Sequence, residues 1–211
     1  MGGAGPSVSK QSLAPNYFAG ELLTHSSEAD LLWQFSAEAY AGPEMNDLPP
    51  EVLHHLRAAE GWLELGDHLS ANEELDQLPS SLSDHPQVLM LRWQVYARAC
   101  HWESAYEIAN TLVKLAPDEP TGWIHRSYVL HEQRRTQEAW DQLLPAWERF
   151  PIEPTIAYNL ACYACQLGRL KEAWTWLERA FAMDDSQTRI LKREALEDPD
   201  LAPLRNKLAK L

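Results

Sequence analysis

The 211-residue chain is short of most features on which familiar chemistries depend. It has three cysteines, Cys100, Cys162 and Cys165, an odd number that leaves no disulfide framework and favours a reducing compartment. No run of 18 or more apolar residues occurs, so no segment reads as a membrane span. Positive charge is scarce: 18 Lys and Arg stand against 31 Asp and Glu, a formal net charge of −13. That balance argues against sequence-independent binding to nucleic acid or to anionic lipid, because both need Lys and Arg to neutralise phosphates. Residues 1–20 hold no apolar core of the kind a secretory signal needs, and the expected location is cytoplasmic.

Catalytic motifs are equally thin. There is no Gly-x-Ser-x-Gly elbow to raise a nucleophile on a strained turn, and no glycine-rich phosphate loop. His54 and His55 are adjacent and cannot share one helical face, and His125 and His131 lie six residues apart. Cys162-Tyr163-Ala164-Cys165 has ligand spacing but no second pair, and it falls inside a helical pattern, where free Cys behaves as a small hydrophobe. The expectation is a chain without catalytic activity, bound metal or cofactor. With a hydrophobic share of 45 %, it is nevertheless a folding sequence.

What the sequence does contain is a repeat. Ala71, Ala105, Ala139 and Ala173 recur every 34 residues without a gap. Four residues after each stand Leu75, Ala109, Leu143 and Leu177; three further on come Leu78, Leu112, Ala146 and Ala180. Twelve residues before each alanine are Ala59, Trp93, Ser127 and Ala161. The chain therefore divides into units 52–85, 86–119, 120–153 and 154–187. Pro86, Pro120 and Pro154 open units, where a missing N–H costs a helix nothing. Apolar spacing within a unit, such as Trp62 and Leu65 followed by Leu75 and Leu78, predicts two antiparallel helices of about 12–15 residues each. Bulky Trp62, Tyr96, Trp102, Trp140 and Trp174 are expected to fill the gaps between helices. Pro145 falls inside the second helix of unit three and predicts a kink.

The fourth unit reads Tyr158-Asn159-Leu160-Ala161, then Leu167-Gly168-Arg169-Leu170-Lys171-Glu172-Ala173, then Ala180; the third has Trp123 and ends in Pro151. Period and residues together resemble the tetratricopeptide repeat family over about 136 of 211 residues. The departures are Trp93 and Ser127 where the family has a small residue, and Cys100 and Arg134 in turns that hold Gly66 and Gly168 elsewhere. The resemblance implies an all-α, right-handed α-solenoid of four helix pairs with capping helices. It implies a noncatalytic interaction module that takes a peptide or partner helix in the concave groove of its first helices.

Carried over residue by residue, the groove positions are Arg57, Glu60 and Glu64 in unit one and Gln87, Gln94 and Arg98 in unit two. Unit three supplies His125, Tyr128, His131 and Glu132, and unit four Tyr158, Asn159, Cys162 and Gln166, with Arg189 and Arg193 beyond. This stripe is less acidic than the whole chain and suits a ligand with acidic or carboxylate groups. One family subgroup grips a C-terminal carboxylate with Lys, Asn and Arg. Asn159, Arg189 and Arg193 match the later part of that clamp, but Ile124 and Tyr128 stand where its first Lys and Asn belong. Two other readings remain: a self-assembling oligomeric scaffold, and a chaperone for a secreted partner protein.

The flanks are expected to differ from the repeats. Residues 1–27 read as flexible, and 28–51 as a helix over about 28–41 followed by a linker. That helix has three possible roles: cap, linker or occupant of the groove. Residues 188–211 read as a capping helix and tail, with Leu191, Leu196, Leu201 and Leu204 covering the open end of unit four.

Overall fold

In the computed structural model, residues 48–182 and 186–210 are described; the expectations for residues 1–47 lie outside them. The described residues are helical, with no strand among them. Eight helices form four successive pairs: α1 (Pro50–Glu64) with α2 (His68–Asp76), α3 (Pro86–Arg98) with α4 (Trp102–Leu115), α5 (Pro120–Glu132) with α6 (Thr136–Arg149), and α7 (Pro154–Gln166) with α8 (Leu170–Ala180). Beyond them come α9 (Ser186–Glu194), a 3₁₀ segment (Pro199–Leu204) and the short α10 (Arg205–Leu208). This is the all-α solenoid of four tetratricopeptide-like pairs with capping helices that the repeat predicts.

Local chemistry sets the helix ends. A proline occupies the first residue of α1, α3, α5 and α7, where its fixed φ suits a helix start. Each pair turns over through a residue with positive φ, and the four fall at the same place in the repeat: Gly66 (80°), Cys100 (53°), Arg134 (62°) and Gly168 (75°). Each turn is closed by the same two backbone bonds, for example Gly66 N–H to the Leu63 carbonyl and Asp67 N–H to the Trp62 carbonyl, the Schellman pattern. Pro145 does not interrupt α6, which runs through it to Arg149. The proline is exposed, so water can serve the carbonyl that its missing N–H leaves.

Small residues set the packing. Ala71, Ala105, Ala139 and Ala173 are all 0 % exposed, at the seams where the two helices of a pair meet. Each second helix also packs on the first helix of the following unit: α2 on α3, α4 on α5, α6 on α7. First helices touch directly between α1 and α3 and between α5 and α7, whereas α3 and α5 approach less closely. There Trp93 replaces the small residue and its indole stacks on His125 at 3.6 Å, filling the wider space. Trp62 does not fill a gap as expected: it is 38 % exposed, beside exposed Leu65 and Leu69 at the turn of unit one.

The C-terminal segment departs from the repeat. α9 packs on α7, and the 3₁₀ segment then crosses back over α7. Leu191, Leu201, Leu204 and Leu208 are buried by this wrap, while Leu196 stays exposed beside Trp174 and Phe181. As a result α7 is buried at every residue from Pro154 to Cys165.

Candidate functional site

Tyr158, Cys162 and Gln166 are spaced by four along α7 and so lie on one helical face. His131, near the end of the adjoining α5, completes the surface. The turn Asp198-Pro199-Asp200-Leu201 lies across it. The Tyr158 hydroxyl donates to the Asp198 carboxylate at 2.6 Å, and the Cys162 thiol donates to the same Oδ2 at 3.4 Å. The other Asp198 oxygen accepts the Asp200 backbone N–H at 2.8 Å, which caps the 3₁₀ segment. His131 Nε2 is 2.7 Å from the Asp200 carboxylate, and the Gln166 amide donates to the Asp200 carbonyl at 3.1 Å. His131 Nδ1 lies 3.0 Å from the Thr136 hydroxyl, so both ring nitrogens have a partner. Leu201 is 0 % exposed and supplies the apolar anchor.

The electrostatics follow from burial. Desolvation raises the Asp198 carboxyl above its ordinary value, and neighbouring Asp200 adds to this; the Tyr158, Cys162 and Asp200 N–H bonds pull the other way. Burial also pushes the Tyr158 hydroxyl and the Cys162 thiol well up, which keeps both in the neutral form that can donate. A thiol so disfavoured as thiolate is a poor nucleophile. Cys165 is likewise pushed up to about 11, chiefly by burial. Cys162 Sγ and oxygens of Asp198 and Asp200 lie within 4.8 Å of one another, close enough to hold a cation. Each of these three groups is already satisfied by a hydrogen bond, so the network is complete without one.

The other positions taken from the resemblance fall in several surroundings. Arg57 is exposed, and Gln94 and Arg98 are half-buried. His125 is 3 % exposed beneath Trp93, and Tyr128 packs edge-on between Trp93 and Trp102. Asn159 is buried. Arg189 is exposed, and Arg193 pairs with Glu194 at 2.9 Å beside the cavity lined by Trp174 and Phe181. The structure thus joins His131, Tyr158, Cys162 and Gln166 around carboxylates and does not bring Arg193 to them. The groove reading named all four of those residues but missed what they hold. Two acids one residue apart, just past the last repeat, were the available signal.

No protein-family model matches the chain, and no curated protein matches it. Among solved structures, two of MamA AMB-1 each match 75 % of this chain at 19 % identity and a TM-score of 0.49, over 84 % and 90 % of their own chains. A mutant form of MamA matches 74 % of this chain and 88 % of its own, at 19 % identity and a TM-score of 0.48. At that identity and score the likeness assigns neither a family nor an activity to this chain.

Proposed function

We propose that the chain is a noncatalytic interaction scaffold of the cytoplasm, whose first helices present a surface for a peptide or helix of a partner protein. The observation that carries this reading is the seat on α5 and α7, where side-chain hydrogen bonds and the buried Leu201 hold an acidic segment from outside the repeats. A face that organises donors around carboxylates is a ligand-grade surface, and rigid paired helices keep the ordering cost of association low. Arg57, Gln94 and Arg98 on the first helices of units one and two, with Glu60 and Glu64 beside Arg57, are the further positions proposed to meet the partner. No helix among the described residues is long and apolar enough to cross a membrane, in keeping with protein partners met in solution.

The test places a photo-crosslinking residue singly at Arg57 or Gln94 on the first helices, and at Lys171 or Thr175 on a second helix. A partner captured stoichiometrically from host cells only through the first-helix positions supports the reading. Capture only through α8 overturns it. A second reading, self-assembly, is favoured by three large apolar side chains exposed around the turn of unit one, Trp62, Leu65 and Leu69. Crosslinks from the first helices to a second copy of this chain, with mass rising with concentration in sedimentation, would install that reading instead.

A further inference from the structure

We infer that the turn Asp198–Leu201 is a built-in ligand: it fills the seat on α5 and α7 in cis, and a partner peptide with two carboxylates one residue apart, followed by an apolar residue, binds there by displacing it. The inference rests on the scaffold reading above and specifies the ligand and the control of one part of its surface.

Three observations support it. The segment lies outside the four repeats and crosses back mainly over the first helix of unit four, with a smaller contact to α8. Its recognition is side-chain specific: Tyr158 and Cys162 select the first carboxylate, His131 the second, and Gln166 reads the backbone between the second acid and the leucine. The seat also contributes no formal charge of its own, apart from any proton on His131, so it discriminates carboxylates by donor geometry and not by bulk attraction. An acidic ligand held this way is exchangeable in a manner a wholly apolar cap is not. Water reaches the Asp200 carboxylate, whose side chain is 26 % exposed, and the two carboxyl groups lie within 4.8 Å of the same thiol and of each other. Attachment to the chain gives the resident turn an effective concentration of about millimolar, so it excludes weak acidic peptides and yields to a partner whose further contacts outweigh that advantage.

The experiment uses the full chain and one probe, a fluorescent peptide with the sequence of residues 196–203, Leu-Glu-Asp-Pro-Asp-Leu-Ala-Pro. In anisotropy titrations, the Asp198→Asn/Asp200→Asn protein should bind the probe at least about tenfold more tightly than the wild type, because its own turn no longer competes well. A probe with both aspartates replaced by asparagine should lose at least about tenfold on that same variant. Hydrogen exchange on the wild-type protein gives a second readout that needs no variant to fold: saturating acidic probe should speed exchange across 195–208, and the asparagine probe should not. Equal affinity for both proteins, or no binding by a variant of unchanged helicity, overturns the inference. Should the variant unfold, unchanged exchange across 195–208 at millimolar probe overturns it as well. Crosslinks from Arg57 and Gln94 to a partner would survive any of those failures, so the broader scaffold reading stands or falls separately.

Discussion

His125 carries an imidazole into a place where a proton is costly. It is 3 % exposed, lies parallel to the Trp93 indole at 3.6 Å, and its Nε2 has no hydrogen-bond partner among the described residues. Burial lowers its pKa from the ordinary 6.5 to about 3. Between those values the unfolded chain binds a proton that the folded chain does not. The contribution to stability is therefore complete above the unfolded value and is lost as pH falls below it. Going from pH 7 to pH 5 costs about 2 kcal/mol through this one group. His125→Phe keeps a ring against Trp93 and removes the titration. In urea denaturation at the two pH values, the variant should lose about 2 kcal/mol less than the wild type on acidification. Asp198 pushes the other way, since its raised pKa makes folding more favourable as pH falls toward the carboxylate range; both proteins share that term, so it drops out of the comparison. Equal losses in the two proteins would mean that His125 titrates as if in water.

Between elements, backbone approach decides what the repeat can tolerate. Gly122, in the first turn of α5, faces the end of α4: a methyl group there would meet the Val113 backbone nitrogen at 2.8 Å and the Leu112 carbonyl carbon at 3.1 Å. Both are main-chain atoms and cannot swing aside. Alanine is the better helix former by about 1 kcal/mol in a helix interior, yet the overpacking it forces costs typically 1–3 kcal/mol and the first turn gains little from propensity. Gly122→Ala should lower unfolding free energy by about 1–2 kcal/mol in urea titrations, without loss of helicity at low denaturant. A neutral result would show that α4 and α5 separate freely. The repeat itself was readable because contact of this kind enforces period: every seam needs a small residue, and 34 residues separate each alanine from its counterpart. The turns were readable in part, since Gly66 and Gly168 announce a left-handed residue, whereas Cys100 and Arg134 adopt the same conformation against their own preference, held by identical Schellman bonds. The seat of the C-terminal turn left no comparable trace. His131 meets Asp200 across 69 residues and Tyr158 meets Asp198 across 40, distances at which no periodicity in the sequence can report a pairing. The chain's own carboxylates are held by Tyr158, Cys162 and His131, while Arg193 pairs with Glu194.

At the scale of the whole stack, stability is largely a chain of nearest-neighbour contacts, because among the described residues each helix pair packs mainly on the pairs before and after it. Such a stack need not open all at once, and its weakest member is set by how many neighbours cover it. α2 has nine residues and buries the side chains of only Ala71 and Leu75, with Leu69 63 % exposed on its flank. α7 has the opposite surroundings: α5 and α6 on one side, α8 on another, and the returning C-terminal segment across the rest, so that every residue from Pro154 to Cys165 is buried. Opening α7 must break unit four and dislodge the acidic turn together, whereas among the described residues opening α2 disturbs mainly α1 and α3. Native-state hydrogen exchange should therefore show amides of α7 exchanging only through global unfolding, and those of α2 through a local opening at least about 2 kcal/mol less costly. The ordering follows from burial and does not depend on any ligand. If α2 and α7 exchange with the same free energy, the stack opens as one cooperative block, and coupling along the helix pairs is stronger than contacts between adjacent units can supply.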